Sequence, residues 1–97
     1  MNYVMFVGLN DKDQKVQVVD KESAQNIIAD TVGACTMYDA KGVFTHEDGV
    51  QVRENTLAVE VFETDKEQVE KYCKTLKRIL NQESIAVRPL PSEVYFF

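Results

Sequence analysis

The sequence predicts an α+β fold of the ferredoxin-like type, a two-layer sandwich in which an antiparallel sheet carries two helices on one face. Two observations predict it. Four segments have the alternating or unbroken apolar pattern of strands, and two have apolar residues at helical spacing. The segments follow in the order β-α-β-β-α-β, and right-handed crossovers then place the first and third strands in the middle of the sheet. A chain of 97 residues has room for one such domain, residues 1–97.

The first strand is predicted over residues 3–9, a nearly unbroken apolar run typical of a central strand. The all-polar segment 10–15 then predicts a turn or exposed loop. Val16, Val18 and Val19 fit two arrangements equally well: a short hairpin arm, or packing beneath the helix that follows.

Both helices carry recognisable start signals. Asp20 is a good N-cap, the apolar spacing predicts a helix over 21–32, and Gly33 supplies its end. The second helix begins with a capping box whose first residue is Thr64 and ends near residue 80. Its apolar stripe at positions i, i+4, i+7 and i+11 makes it the clearest element of the sequence.

A hairpin connects the two helices. The second strand is predicted over 34–38, with a continuation over 43–46 beyond a bulge at 41–42. Residues 47–49 form the best hairpin turn in the chain, because a glycine after aspartate permits the positive φ of tight turns. The return strand is predicted over 50–62.

The last strand is predicted over 85–88 and ends at Pro89, which has no N–H to donate to a ladder. The aromatic segment 94–97 follows. It either caps its own core as an edge strand or pairs with a second copy of the chain, and we expect a homodimer. The residues assigned to this interface are Phe62, Tyr95, Phe96 and Phe97.

A two-layer fold leaves one face of its sheet without helices. In the predicted register this open face carries Thr36, Tyr38, Ala58, Glu60, Phe62, Ala86 and Arg88. A slip of one residue would exchange the two faces. The open face and the aromatic segment together form the predicted working surface.

The composition excludes several functional classes. Sixteen acidic against eleven basic side chains give a net charge of -5, which disfavours binding to nucleic acid. No apolar run approaches the ~20 residues of a membrane span, and we read no signal peptide in the first residues. Cys35 and Cys73 lie in apolar patterns and are expected to be buried, reduced thiols, which indicates a cytoplasmic protein.

No pattern in the chain predicts catalysis, a metal ion or a cofactor. His46, followed by two acids and near Arg53 and Glu54, has the chemistry of a general base, but a hairpin tip usually carries such charges for solubility. The pair Asp11 and Asp13 lacks the glycine and final glutamate of a calcium loop. We find no phosphate-binding loop and no catalytic triad.

Several short blocks resemble a bacterial and phage family of small ferredoxin-like proteins known only as a domain of unknown function. The blocks are 6–9 (FVGL), 38–44 (YDAKGVF), 46–49 (HEDG), Arg53-Glu54 with Thr56, 81–85 (NQESI) and 94–96 (VYF). The resemblance implies the fold and a site made from Arg53, Glu54, Gln82 and Ser84. The same four residues also fit a structural role, as a cross-strand pair and as partners of turn backbone.

The sequence therefore predicts a small non-catalytic binding protein that acts through its open sheet face and aromatic segment. The binding residues assigned to that surface are Tyr38, His46, Arg53, Glu54, Gln82 and Ser84. One alternative is a phage or mobile-element inhibitor of a host defence protein, since an acidic surface can mimic nucleic acid. The other is a small enzyme similar to the antibiotic monooxygenases, which have a pocket in this fold.

Overall fold

The computed structural model describes residues 1–45 and 48–97 of the chain. The elements are β1 (Asn2–Gly8), α1 (Lys21–Val32), β2 (Thr36–Thr45), β3 (Gln51–Val61), α2 (Lys66–Ile79) and β4 (Ala86–Leu90). The strands form one antiparallel sheet in the order β2-β3-β1-β4. The predicted ferredoxin-like sandwich is confirmed, with the first and third strands in the middle.

The core lies between the helices and one face of the sheet. Alternate residues of β1 and of the second half of β3 enter it, beside the apolar stripes of both helices. The buried core residues are Tyr3, Met5, Val7, Leu9, Ala24, Ile28, Val32, Leu57, Val59, Val61, Val69, Leu76 and Leu80. Because successive strand residues point to opposite faces of the sheet, the residues of β1 and β3 that alternate with these core residues lie on the open face.

The first helix begins and ends as its sequence predicts. The carboxylate of Asp20 accepts a hydrogen bond from the backbone N–H of Ser23 at 3.0 Å, which satisfies a free amide of the first turn. Gly33 ends the helix with φ of 82° and donates its N–H to the carbonyl of Ala29.

The second helix has a different N-cap from the predicted one. Asp65, not Thr64, accepts from the backbone N–H of Gln68 at 2.8 Å. Thr64 instead exchanges backbone hydrogen bonds with Met1, at 2.8 and 3.0 Å, which extends the pairing of the central strands. The capping box is wrong because tertiary pairing already uses the backbone of the predicted cap residue.

β2 pairs with β3 without interruption. Lys41 lies opposite Asn55 and Gly42 opposite Glu54, so the bulge predicted at 41–42 is wrong. The turn that follows has Gly49 at φ of 85°, in agreement with its predicted role. His46 lies outside the described residues.

β4 continues through Pro89, where the sequence predicted its end. Pro89 lies opposite Tyr3 in the ladder. β4 is an edge strand, and an edge strand accommodates proline because its other side has no strand to bond. The prediction placed the end of the strand too early, because it did not consider that an edge strand tolerates proline.

The two thiols are partly exposed rather than fully buried, which corrects the prediction. Cys35 and Cys73 are both free, and partial burial raises the pKa of each thiol. The sulfur of Cys73 lies 3.7 Å from that of Met5, at the margin of the core.

The valines after the first loop divide between the two predicted arrangements, with Val16 and Val18 on the hairpin arm and Val19 against the core. Gln17 forms an antiparallel bridge with Asn10, and Val16 and Val18 are exposed on either side of it. Val19 packs against the core. None of the helices in the described part of the chain is long and apolar enough to cross a membrane.

Candidate functional site

A cleft of about 480 Å³ opens on the helix-free face, at the end of the sheet where β1 meets the first loop. All four strands, the loop after β1 and the segment before β4 contribute to it. The lining residues are Phe6, Gly8, Asn10, Asp11, Lys12, Lys15, Ala40, Lys41, Gly42, Phe44, Val52, Glu54, Thr56, Gln82, Glu83, Ser84 and Ala86. Its volume falls within the range of small-molecule sites.

Glu54 forms the floor of the cleft, and two glycines make room for its side chain. A Cβ built on Gly8 would lie 2.5 to 2.7 Å from the carboxylate of Glu54, closer than atoms can approach. A Cβ on Gly42 would lie 3.3 Å from Cγ of the same side chain. The carboxylate therefore lies directly over the β1 backbone. There it accepts a hydrogen bond from the N–H of Asn10 at 3.1 Å.

The walls beside this carboxylate are largely apolar. Phe6 is half-buried and Phe44 is 42% exposed, so both present aromatic surface to the cleft. Val52 and Ala86 add aliphatic surface. A carboxylate at the floor of a cleft with aromatic walls suits a ligand that combines an aromatic part with a positive charge.

The loop over the cleft is built around Asp11, which is 8% exposed. One carboxylate oxygen accepts from the N–H groups of Asp13 and Gln14, each at 2.9 Å, and the other accepts from the side chain of Asn81 at 3.0 Å. The bonds from Gln14 and Asn81 hold the pKa of Asp11 below its usual value, with the Gln14 amide the larger cause. The loop is thus ordered by its own aspartate.

The turn after α2 fastens this loop to the sheet. Asn81, at φ of 50°, also donates to the carboxylate of Asp13, and its carbonyl accepts from the N–H of Lys12. Next to it, Gln82 is nearly buried and donates to the carbonyl of Asn10 at 2.6 Å. The two residues fix the position of the loop relative to Glu54.

The cleft brings together three of the six predicted binding residues. Glu54, Gln82 and Ser84 all line it. Arg53 lies opposite Val43 on the other face of the hairpin, because neighbouring strand residues point to opposite sides. It donates to Gln51 at 3.4 Å.

The other two predicted binding residues lie elsewhere. Tyr38 is on the open face but outside the cleft, and its hydroxyl donates to Glu60 at 2.7 Å. This bond is the main cause that raises the pKa of Tyr38. His46 falls outside the described residues.

The predicted interface residues form a separate aromatic patch. Phe62 and Phe96 meet edge to face at 6.1 Å, and the rings of Tyr95 and Phe97 are also 6.1 Å apart. Tyr95 and Phe96 are 68% and 69% exposed, so the segment does not cap the core. The hydroxyl of Tyr95 donates to Glu93, which raises the pKa of Tyr95.

Sequence reasoning missed the glycines, the aspartate and the lysines of this site. The signal for Gly8 and Gly42 was an isolated glycine inside a strand pattern, which marks a close approach of another group. Asp11 was examined as half of a calcium loop, but its oxygens accept from amides. Within the described residues, no three His, Cys, Asp or Glu side chains are grouped to hold a metal ion.

No family model matches the chain, so the resemblance to a family of unknown function stays a prediction. No curated protein matches it. Among solved structures, a phage SAM lyase in complex with S-methyl-5'-thioadenosine matches with a TM-score of 0.64 and 23% identity, over 89% of this chain and 76% of that chain. A phage SAM lyase in the apo state matches with a TM-score of 0.59 and 22% identity, over 89% and 75%. At these identities the likeness shows that the chain shares its fold with the phage SAM lyase.

Proposed function

We propose that the protein binds S-adenosylmethionine on its open sheet face and cleaves it to S-methyl-5'-thioadenosine. The observation that carries the proposal is the carboxylate of Glu54, held at the floor of a cleft with aromatic walls. The shared fold with a SAM lyase supports the choice of ligand class. The proposal replaces non-catalytic binding with catalysis at the predicted open face.

The charge of the substrate supports a role for Glu54. A sulfonium ion has a permanent positive charge and no proton to donate, so a carboxylate attracts it by charge alone. Two unit charges 4 Å apart attract by roughly 4 kcal/mol at the effective dielectric constant near a protein surface, and exposure to water reduces this further. Asp11 also lines the cleft, but amide donors already occupy its carboxylate.

The aromatic walls suit the adenine part of the substrate. Stacking of a base on an aromatic side chain contributes about 1–3 kcal/mol. Phe6 and Phe44 line the cleft, one from a central strand and one from the edge strand β2. We infer that adenine lies against one of these rings, with the sulfur over Glu54.

The reaction needs no group beyond the substrate itself. The bond from sulfur to the amino-acid chain breaks, its electron pair stays on sulfur, and the sulfonium becomes a neutral thioether. The carbon that loses sulfur forms a bond to an oxygen of the substrate's own carboxylate, which closes a five-membered lactone. Because the positive charge on sulfur falls as the bond breaks, Glu54 chiefly binds and orients the substrate.

A charge-only substitution tests the proposal. Glu54→Gln keeps the size of the side chain and a carbonyl oxygen for the Asn10 amide, but removes the negative charge. We expect its affinity for S-adenosylmethionine to fall by about tenfold, while its affinity for the neutral S-methyl-5'-thioadenosine stays within about twofold. Isothermal titration gives both affinities, and chromatography gives product formation.

The matched control is Glu60→Gln. Glu60 lies on the same face of β3 but outside the cleft lining, where it accepts from Tyr38. We expect this variant to bind both ligands as the unaltered protein does. An unaltered protein that binds neither ligand, or an equal effect of the two substitutions on S-adenosylmethionine binding, contradicts the proposal.

We also propose that the aromatic segment pairs two copies of the chain in the cytoplasm. What supports the pairing is the exposure of Tyr95 and Phe96, which water disfavours. The free state of both cysteines supports the compartment. Deletion of 94–97 is expected to convert a dimer to a folded monomer in sedimentation experiments; an unchanged mass contradicts the pairing.

A further inference from the structure

The first loop carries two lysines to the rim of the cleft, and we propose that Lys12 and Lys15 bind the carboxylate of the ligand. The inference rests on the proposed function and adds a specificity to it. The site would then recognise an adenosyl amino acid by two of its charged groups: Glu54 attracts the sulfonium, and the lysines attract the carboxylate. An adenosyl thioether without the amino-acid part loses the second interaction.

The loop holds the lysines in place without a ligand. Lys12 donates its N–H to the carbonyl of Asn81 at 3.0 Å, and Lys15 donates to the carbonyl of Asp11 at 2.8 Å. Lys15 has φ of 67°, a conformation that only a fixed turn keeps in a lysine. Binding therefore requires ordering of the side chains alone and not of the backbone.

The loop lies at the right distance from Glu54. The backbone N–H of Asn10 donates to Glu54. Lys12 follows Asn10 by two residues, so the Cα atoms of Asn10 and Lys12 are at most about 7 Å apart. In the substrate, four bonds of about 1.5 Å join the sulfur to the carboxylate carbon. A sulfur held over Glu54 thus places the carboxylate within reach of a lysine side chain.

Among the described residues neither of these two ammonium groups forms an ion pair, although the charge of Lys12 is a minor cause of the lowered pKa of Asp11. The ion pair that the described residues form is between Lys21 and Asp39, away from this cleft. Lys41, the third lysine of the lining, donates to Asn55. Glu83 contributes an exposed carboxylate at the rim, and the aspartates of the loop accept from backbone amides and from Asn81.

This arrangement separates substrate from product. S-methyl-5'-thioadenosine has neither the sulfonium charge nor the carboxylate, so cleavage removes the partners of both Glu54 and the lysines at once. The product is then held by its adenosine part alone and leaves more readily than the substrate.

Two neutral-sulfur ligands isolate the contribution of the lysines. S-adenosylhomocysteine carries the amino acid and S-methyl-5'-thioadenosine does not, so the ratio of their dissociation constants is independent of a sulfonium charge. We expect the double variant Lys12→Ala/Lys15→Ala to bind S-adenosylhomocysteine about five- to tenfold more weakly and S-methyl-5'-thioadenosine within about twofold of the unaltered protein. The arginine variants at both positions should restore the ratio.

Lys71→Ala/Lys74→Ala is the matched control, because both residues are exposed on α2. We expect no change in either affinity. If the unaltered protein binds S-methyl-5'-thioadenosine but the loop variant keeps the ratio, the role of the lysines is wrong and the proposed function stands. If the unaltered protein binds neither ligand, the proposed function is wrong, and the role of the lysines falls with it.

Discussion

The two faces of the sheet use the same strands for different purposes. On the helix-covered face, β1 and β3 contribute Tyr3, Met5, Leu57 and Val59, all buried and apolar. On the open face, neighbouring positions of the same strands surround Glu54 with Phe6, Gly8, Val52 and Thr56. One face lowers the free energy of the fold by excluding water, and the other keeps a charge accessible beside aromatic surface.

This difference separates stability from function. A change on the covered face should destabilise the protein and leave the chemistry of the cleft intact wherever the chain still folds. A change at Glu54 or Phe44 on the open face should do the reverse, because these side chains are half-buried or exposed and lie outside the hydrophobic core.

The largest effect is expected on the covered face. Leu76 is fully buried at the middle of the α2 stripe, and Leu76→Ala would leave a cavity. We expect a loss of about 2–5 kcal/mol in the free energy of unfolding, measured by urea denaturation. Ligand affinity of the folded fraction should stay unchanged. A loss below ~1 kcal/mol would mean that the covered face tolerates cavities and that the division is less sharp.

The next effect is expected on the open face at Gly8. Gly8→Ala puts a methyl group where the carboxylate of Glu54 lies, and the flexible side chain moves away because it is easier to displace than backbone. We expect little change in the melting temperature and a loss of S-adenosylmethionine binding comparable to that of Glu54→Gln.

Gly42→Ala provides a graded comparison for this prediction. Its Cβ would meet Thr56 at 3.1 Å and Cγ of Glu54 at 3.3 Å, contacts that small shifts relieve. The effect on binding should therefore be smaller than that of Gly8→Ala. Equal effects, or a large loss of stability at Gly8, would contradict the view that the glycines serve the carboxylate.

The difference between the two faces also explains why the sequence predicts the fold better than the cleft. The first strand is a nearly unbroken apolar run, the third has a period of two, and each helix has an apolar stripe. Together with the rule of right-handed crossovers, these patterns predict the fold and its central strands. The cleft depends on single contacts between distant residues, such as Gly8 with Glu54 and Asn81 with Asp11. Periodicity carries no information about such pairs.

The smallest effect is expected in the loop. Asn81→Gly keeps the left-handed backbone but removes the amide that donates to Asp11 and Asp13. Because that bond favours the charged form of Asp11, its loss should raise the pKa of Asp11 toward the ordinary value. NMR titration of the side-chain carboxyl carbon measures this pKa. The pKa of Asp20, lowered by Ser23, should stay unchanged and serves as the control.

The same loop has a defined pH dependence. A carboxyl whose pKa is lower in the folded state stabilises the fold above its unfolded pKa, and this stabilisation disappears as the pH falls through the folded value. The order of the loop should therefore persist at neutral pH and be lost in acid. In the Asn81→Gly variant, the loop should become disordered at a higher pH than in the unaltered protein. Loss of loop order at the same pH in both proteins would contradict the role of Asn81.

The most direct test of the account is to map which face of the sheet a ligand contacts. Isotope-labelled protein is titrated with S-methyl-5'-thioadenosine, and backbone amide shifts are followed by NMR. We expect saturable shifts at Gly8, Asn10, Gly42 and Gln82, around the Glu54 carboxylate, with little change in α1 and α2. Absence of shifts at millimolar ligand, or shifts confined to the helices or to residues 94–97, would contradict the claim that the open face is the ligand site.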